Sequence, residues 1–82
     1  MIETILVGVK IMPREVILDT QGRAVELSMK SNGFNLDTCR VGKFVELILQ
    51  VDSKEQAKSQ VEKMLKEGGL YNPLIEKYEI VL

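Results

Sequence analysis

Residues 2–12 alternate: Ile5, Val7, Val9 and Ile11 fall on one face, Thr4, Gly8 and Lys10 on the other. A period of two, rich in β-branched residues, predicts a half-buried strand, and Pro13 closes it. After Val16-Ile17-Leu18 comes Asp19, an N-cap residue whose carboxylate can accept an orphan helix N–H. A helix is predicted over 20–31, with Gly22 at its third position. Ala24, Leu27 and Ser28 lie on one side of it, Val25 and Met29 beside them, and Glu26 and Lys30 form an i,i+4 pair toward solvent. Asn32-Gly33 ends it, because glycine takes the left-handed C-cap conformation at little cost.

The period of two returns over 43–51, where Val45, Leu47, Leu49 and Val51 share one face and Phe44, Glu46, Ile48 and Gln50 the other. Residues 36–42 are read as a preceding strand, joined to it in a hairpin at Gly42. Ser53-Lys54-Glu55-Gln56 has the form of a capping box. The helix that follows turns Ala57, Val61, Met64 and Leu65 toward a core. Gly68-Gly69 terminates it, Asn72-Pro73 makes a turn, and residues 75–82 return as a last strand.

The order strand, helix, strand, strand, helix, strand predicts one α+β domain over residues 1–82 in a ferredoxin-like βαββαβ layout. Its antiparallel sheet would have four strands, the first and third central, with both helices on one face. The other face would be left open, carrying Leu6, Phe44 and Ile48. Exposed apolar area of this kind costs roughly 25 cal/mol per Å² left unburied. Below about 80 residues a single core seldom supplies more than ~3–5 kcal/mol without a disulfide, a metal or a partner. The 82-residue chain has one cysteine, Cys39, and no histidine, so neither a disulfide nor a metal cluster is expected. Self-association, as a homodimer or tetramer, is the expected supplement.

Charge narrows the partners. Eleven Lys and Arg against twelve Asp and Glu leave a net charge of -1, which provides no field toward nucleic acid or an anionic membrane. No apolar run approaches the ~18 residues of a membrane span. The chain opens on a strand pattern with no signal peptide, and a lone free thiol suits the cytoplasm. Chemistry is sparse. Without histidine there is no base beside the thiol, so no nucleophilic triad is expected. Glu55, Glu62 and Glu67 interleave with Lys54, Lys58, Lys63 and Lys66 as a solvated helix face. The Walker pattern and the dinucleotide fingerprint are absent. An RNA-binding sheet of this topology needs aromatic platforms and a basic surface, and only Phe44 is suitably placed. Two features stay open on the residues alone. Gln21-Gly22 at a helix start is either an anion-binding N-terminus or a capped helix with glycine at a crowded position. Arg40 and Lys43 around Gly42 form either an ordinary charged turn or a grip for a partner carboxylate.

Three segments, in order and spread over nearly the whole chain, resemble the PurS subunit family of phosphoribosylformylglycinamidine synthase. They are Leu18-Asp19-Thr20-Gln21-Gly22, Arg40-Val41-Gly42-Lys43-Phe44-Val45-Glu46-Leu47 and Asn72-Pro73-Leu74-Ile75-Glu76-Lys77-Tyr78. Thr20 stands where the family has proline, which loosens the helix start without moving it. Gly68, Gly69 and Tyr71 precede the last segment where the family is more helical and less bulky.

The resemblance implies a subunit with no active site of its own. PurS-like subunits dimerise and bridge a glutaminase subunit, PurQ, and an ATP-dependent synthetase subunit, PurL. The assembly converts formylglycinamide ribonucleotide and glutamine to formylglycinamidine ribonucleotide and glutamate, with ammonia passed between the two enzymes. ATP and magnesium would belong to the synthetase, leaving this chain with no cofactor. The residues implied at partner contacts are Asp19, Gln21, Gly22, Arg40, Gly42, Lys43 and Asn72. A small-ligand regulatory domain of the same topology is the alternative, and saturable ligand binding by the isolated protein distinguishes it.

Overall fold

The computed structural model describes all 82 residues. Three strands and two helices follow in the order β1 (Glu3–Pro13), α1 (Thr20–Ser31), β2 (Lys43–Val51), α2 (Lys54–Glu67) and β3 (Glu76–Val81). The strands form one antiparallel sheet in the order β2-β1-β3. The register sets Ile5 opposite Leu49, Val7 opposite Leu47 and Val9 opposite both Val45 and Ile80. These pairs share the face that α2 covers.

The core lies between that face and α2. Val7, Val9, Ile11, Leu49 and Val51 of the sheet meet Ala57, Val61 and Leu65 of the helix. The helical triad recurs every four residues, which makes one stripe. Ser53 caps α2, its Oγ accepting from the Gln56 N–H at 3.2 Å, while Gln56 Oε1 accepts from the Asp52 N–H. The return bond of the expected capping box thus falls one residue earlier than the cap itself. The opposite face is uncovered within one chain, with Leu6, Phe44 and Ile48 each more than half exposed.

The expected four-stranded sheet is corrected to three strands. Residues 36–42 form no strand and no hairpin with β2. Leu36, Cys39 and Val41 do not alternate with period two, and Asn35 and Asp37 are poor strand formers. Two backbone donors of this stretch are instead bound by side chains of the α1 region: Cys39 N–H donates to Glu26 Oε1 at 3.0 Å, and Val41 N–H to Asp19 Oδ2 at 2.7 Å. The expectation that strands one and three are both central is corrected with it. Only β1 is central, and β2 is an edge.

The placing of both helices on one face is also corrected. Only α2 packs on the sheet. In α1 Gly22 is the one buried residue, while Val25, Leu27 and Met29 remain exposed. At 100° per residue Val25 and Met29 share one flank, whereas Leu27 lies on the opposite one. No single apolar stripe exists to seat the helix on a sheet. The helix ends are where the sequence places them: Asp19 caps the start, and Gly33 takes a φ of +88° after the Asn32 cap. The result is an arm. The radius of gyration is 16.4 Å with extents of 54 × 25 × 13 Å, against about 12 Å for a compact domain of this length. No helix is long and apolar enough to cross a membrane.

Candidate functional site

Three chain segments converge where the arm leaves the sheet: the exit from β1, the start of α1 and the loop returning to β2. Asp19 is their hub. Its Oδ1 accepts from Gly22 N–H at 2.9 Å and its Oδ2 from Val41 N–H at 2.7 Å. The first bond is the local cap expected of an aspartate at this position. The second spans 22 residues and ties the returning loop to the helix start.

Arg40 completes the junction. Its guanidinium donates to the carbonyls of Pro13 and Arg14, each at 2.8 Å, and of Glu15 at 3.4 Å, while its Nε stands 3.9 Å from Asp19 Oδ2. Arginine suits this role because its planar fork directs several donors at once. Gly22 lies beneath the carboxylate. A Cβ there would stand 2.5 Å from the Cys39 carbonyl oxygen and well inside contact distance of Asp19 Oδ2. Any side chain there would force Asp19 or the Cys39 carbonyl to shift.

Hydrogen bonds from Gly22 and then Val41, with Arg40 a smaller cause, hold the Asp19 carboxyl below its usual value, although partial desolvation opposes them. An unfolded aspartate titrates near ~3.9. The junction therefore contributes its full stability above that value and loses it as pH falls through the lower native one. The amide resonances of Gly22 and Val41 are expected to stay constant from about pH 7 to 5 and to move together below about pH 4. Asp19→Asn should abolish that transition. A transition at or above the ordinary carboxylate value would show that the carboxylate is not held in this way.

Beside the junction is an open cleft of about 350 Å³. Asp19, Gln21, Gly42 and Lys43 line it together with Leu18 and Ile75. Lys43 Nζ stands 3.9 Å from Glu76 Oε2. Gly42 passes so close to β1 that a Cβ would overlap the Ile11 carbonyl and Met12 Sδ. Asn72 does not line the cleft but lies on the turn that leads into Ile75 and Glu76, which do. Its N–H donates to Glu76 Oε1 at 2.8 Å, and its Oδ1 accepts from Leu74 N–H at 3.1 Å.

All seven sequence-derived positions thus gather at one end of the sheet. Gln21 is exposed, whereas Asp19, Gly22, Arg40, Gly42 and Asn72 are engaged with their own chain, and Lys43 is half exposed beside Glu76. Sequence reasoning missed two contributors. Glu26, expected to face solvent with Lys30, does pair with it at 3.4 Å but also accepts the Cys39 N–H. Arg14 Nε donates to the Pro73 carbonyl at 3.0 Å, joining the exit of β1 to the 72–75 turn. Nothing local marks either bond, since the partners are 13 and 59 residues apart. No three or more His, Cys, Asp or Glu side chains come together as metal ligands.

Residues 6–82 match the family model described as PurS, phosphoribosylformylglycinamidine (FGAM) synthase. The chain is 32% identical over 65 residues to the phosphoribosylformylglycinamidine synthase subunit PurS of Methanocaldococcus jannaschii, covering 78% of this chain and 77% of that protein. Its backbone superposes on the crystal structure of the Thermotoga maritima purS subunit with a TM-score of 0.91 at 26% identity, over 99% of this chain and 93% of the other. A chain in the structure of PurLQS from Thermotoga maritima superposes with a TM-score of 0.88 at 26% identity, over 96% of each chain.

Proposed function

Because the chain belongs to the PurS family of phosphoribosylformylglycinamidine synthase, we propose that it is the bridging subunit that holds the PurQ glutaminase and the PurL synthetase together. It serves de novo purine biosynthesis without an active site of its own. The observation that carries this reading is the superposition along nearly the whole length of both chains with a component of a PurLQS structure.

The reaction is the ATP-dependent conversion of formylglycinamide ribonucleotide and glutamine to formylglycinamidine ribonucleotide and glutamate. Glutamine hydrolysis, nucleotide binding and magnesium binding belong to the two larger subunits. This chain assists ammonia transfer by keeping the two enzymes in register, in the cytoplasm where the pathway runs.

The shape suits a bridge. A 54 Å molecule with a sheet body at one end and a projecting helix at the other presents two separated surfaces. At the junction between them, Gln21 is exposed without a side-chain hydrogen bond, and Lys43, paired with Glu76, is more than half exposed. Mixing the purified chain with both enzymes, ATP and a nucleotide ligand is expected to give a single three-component species by light scattering. Two enzymes that co-migrate equally well without this chain would refute the bridging role.

A further inference from the structure

We propose that Glu76 is a positioning residue. It clasps the two edge strands across the end of β1 and closes the 72–75 turn, and so sets Lys43 and Asn72 in fixed relative places for assembly with the two enzymes.

β2 and β3 are not paired, since β1 lies between them. Neighbouring strands stand about 4.8 Å apart, so the two edges run roughly 10 Å apart. Lys43 opens β2 opposite Ile11, and Glu76 opens β3 opposite Pro13. Ile11 belongs to the core under α2. Pro13 shares its face, and directly opposed residues on paired strands share a face too. Lys43 and Glu76 therefore lean over the end of β1 from either side, and Nζ comes within 3.9 Å of Oε2.

The same carboxylate holds the turn. Its Oε1 accepts from the Asn72 N–H at 2.8 Å, and the Glu76 N–H donates to the Asn72 carbonyl at 2.8 Å. The two residues thus bind each other reciprocally. Arg14 fastens the other side of the turn, its N–H donating to the Ile75 carbonyl at 2.9 Å and its Nε to the Pro73 carbonyl at 3.0 Å. The Glu76 side chain is 21% exposed, against 56% for Lys43. All these contacts lie within one chain and hold whichever neighbouring surfaces a second copy covers.

The two ties differ in weight. A carboxylate that accepts a backbone N–H makes a charge-assisted bond, stronger than a neutral one. An ion pair as open as Lys43 and Glu76 adds little to stability. What it does is order Lys43. Immobilising a long side chain on binding costs roughly two- to tenfold in affinity, and a pair already formed removes part of that cost. The dependence of assembly on Glu76 rests on the bridging function proposed above; the clasp does not.

Glutamine separates the two ties. In Glu76→Gln the amide oxygen still accepts from the Asn72 N–H, but no charge remains for Lys43. The Asn72 amide should then exchange with water within about twofold of the wild-type rate, while the complex with the two enzymes weakens about threefold. In Glu76→Ala the same amide should exchange about tenfold faster, and the complex should weaken about tenfold. If Glu76→Ala does not fold, Glu76→Asp, too short to reach both partners, takes its place. Unchanged exchange in the alanine variant, or exchange as fast in Glu76→Gln as in Glu76→Ala, overturns the clasp on the turn. Full-strength binding of Glu76→Gln overturns the ordering of Lys43. Sedimentation should show wild-type self-association in both variants. A change there places Glu76 in self-association and overturns its role toward the enzymes. A wild type that binds neither enzyme refutes the bridging function and leaves the exchange result to stand or fall separately.

Discussion

Gly22→Ala is expected to destabilise the protein by about 1–3 kcal/mol, although helix propensity argues the opposite. Alanine in a helix is favoured over glycine by roughly 0.8–1.0 kcal/mol. At an ordinary helical position the substitution would raise the denaturation midpoint. At Gly22 the new methyl collides with a carboxylate oxygen and a carbonyl oxygen, and neither is the free end of a long side chain. Asp19 is held by two N–H groups and Cys39 by its bond to Glu26.

Something must therefore move. If Asp19 moves, the cap is lost at a cost of about 1 kcal/mol or more, together with the tie to Val41. If the loop moves, overpacking costs typically ~1–3 kcal/mol. Either exceeds the propensity gain. In a domain whose core supplies ~3–5 kcal/mol, the loss is large. Urea titration of the two proteins gives the sign directly: a lower midpoint supports the crowded junction, and a higher one removes Gly22 from it. Valine should be worse than alanine, because two further methyls enter the same space.

The junction also marks where sequence reasoning succeeded and where it stopped. β1 and β2 were legible because Ile5 to Ile11 and Val45 to Val51 alternate without a break, and one residue of slip would turn every side chain over. α2 was legible from the Ser53 cap and the recurrence of Ala57, Val61 and Leu65. The bounds of α1 followed from Asp19 and Asn32-Gly33, both local signals.

The placement of α1 and the fate of residues 36–42 were not legible, and for one shared reason. They depend on the second hydrogen bond of Asp19 and on those of Glu26 and Arg40, which join residues 13 to 27 positions apart. An aspartate before a helix announces a cap, but it does not announce a second partner. The glycine at Gly22 was readable as crowded, yet what crowds it is the carbonyl of Cys39, on the segment mistaken for a strand. The site residues inferred from family resemblance did gather in space. Asp19, Gly22 and Arg40 build the joint, Lys43 pairs with Glu76, and Gln21 stays exposed.

A bridging subunit makes its largest difference in the assembled enzyme. Without it, glutamine hydrolysed at one protein releases ammonia into water, where it is diluted and protonated before it reaches a second protein. Holding reacting centres together replaces a bimolecular encounter with a local transfer, and such proximity is worth several kcal/mol in favourable cases. Ammonia supplied at high concentration bypasses the requirement. The two nitrogen sources should therefore respond very differently to this chain.

The decisive measurement is the rate of formylglycinamidine ribonucleotide formation by the purified PurQ and PurL subunits, with and without this chain, using either glutamine or ammonium chloride. The bridging account predicts a rate with glutamine that falls at least tenfold when the chain is omitted and is restored at stoichiometric addition, while the rate with ammonium chloride changes little. A glutamine-dependent rate that is equally high without the chain would contradict it.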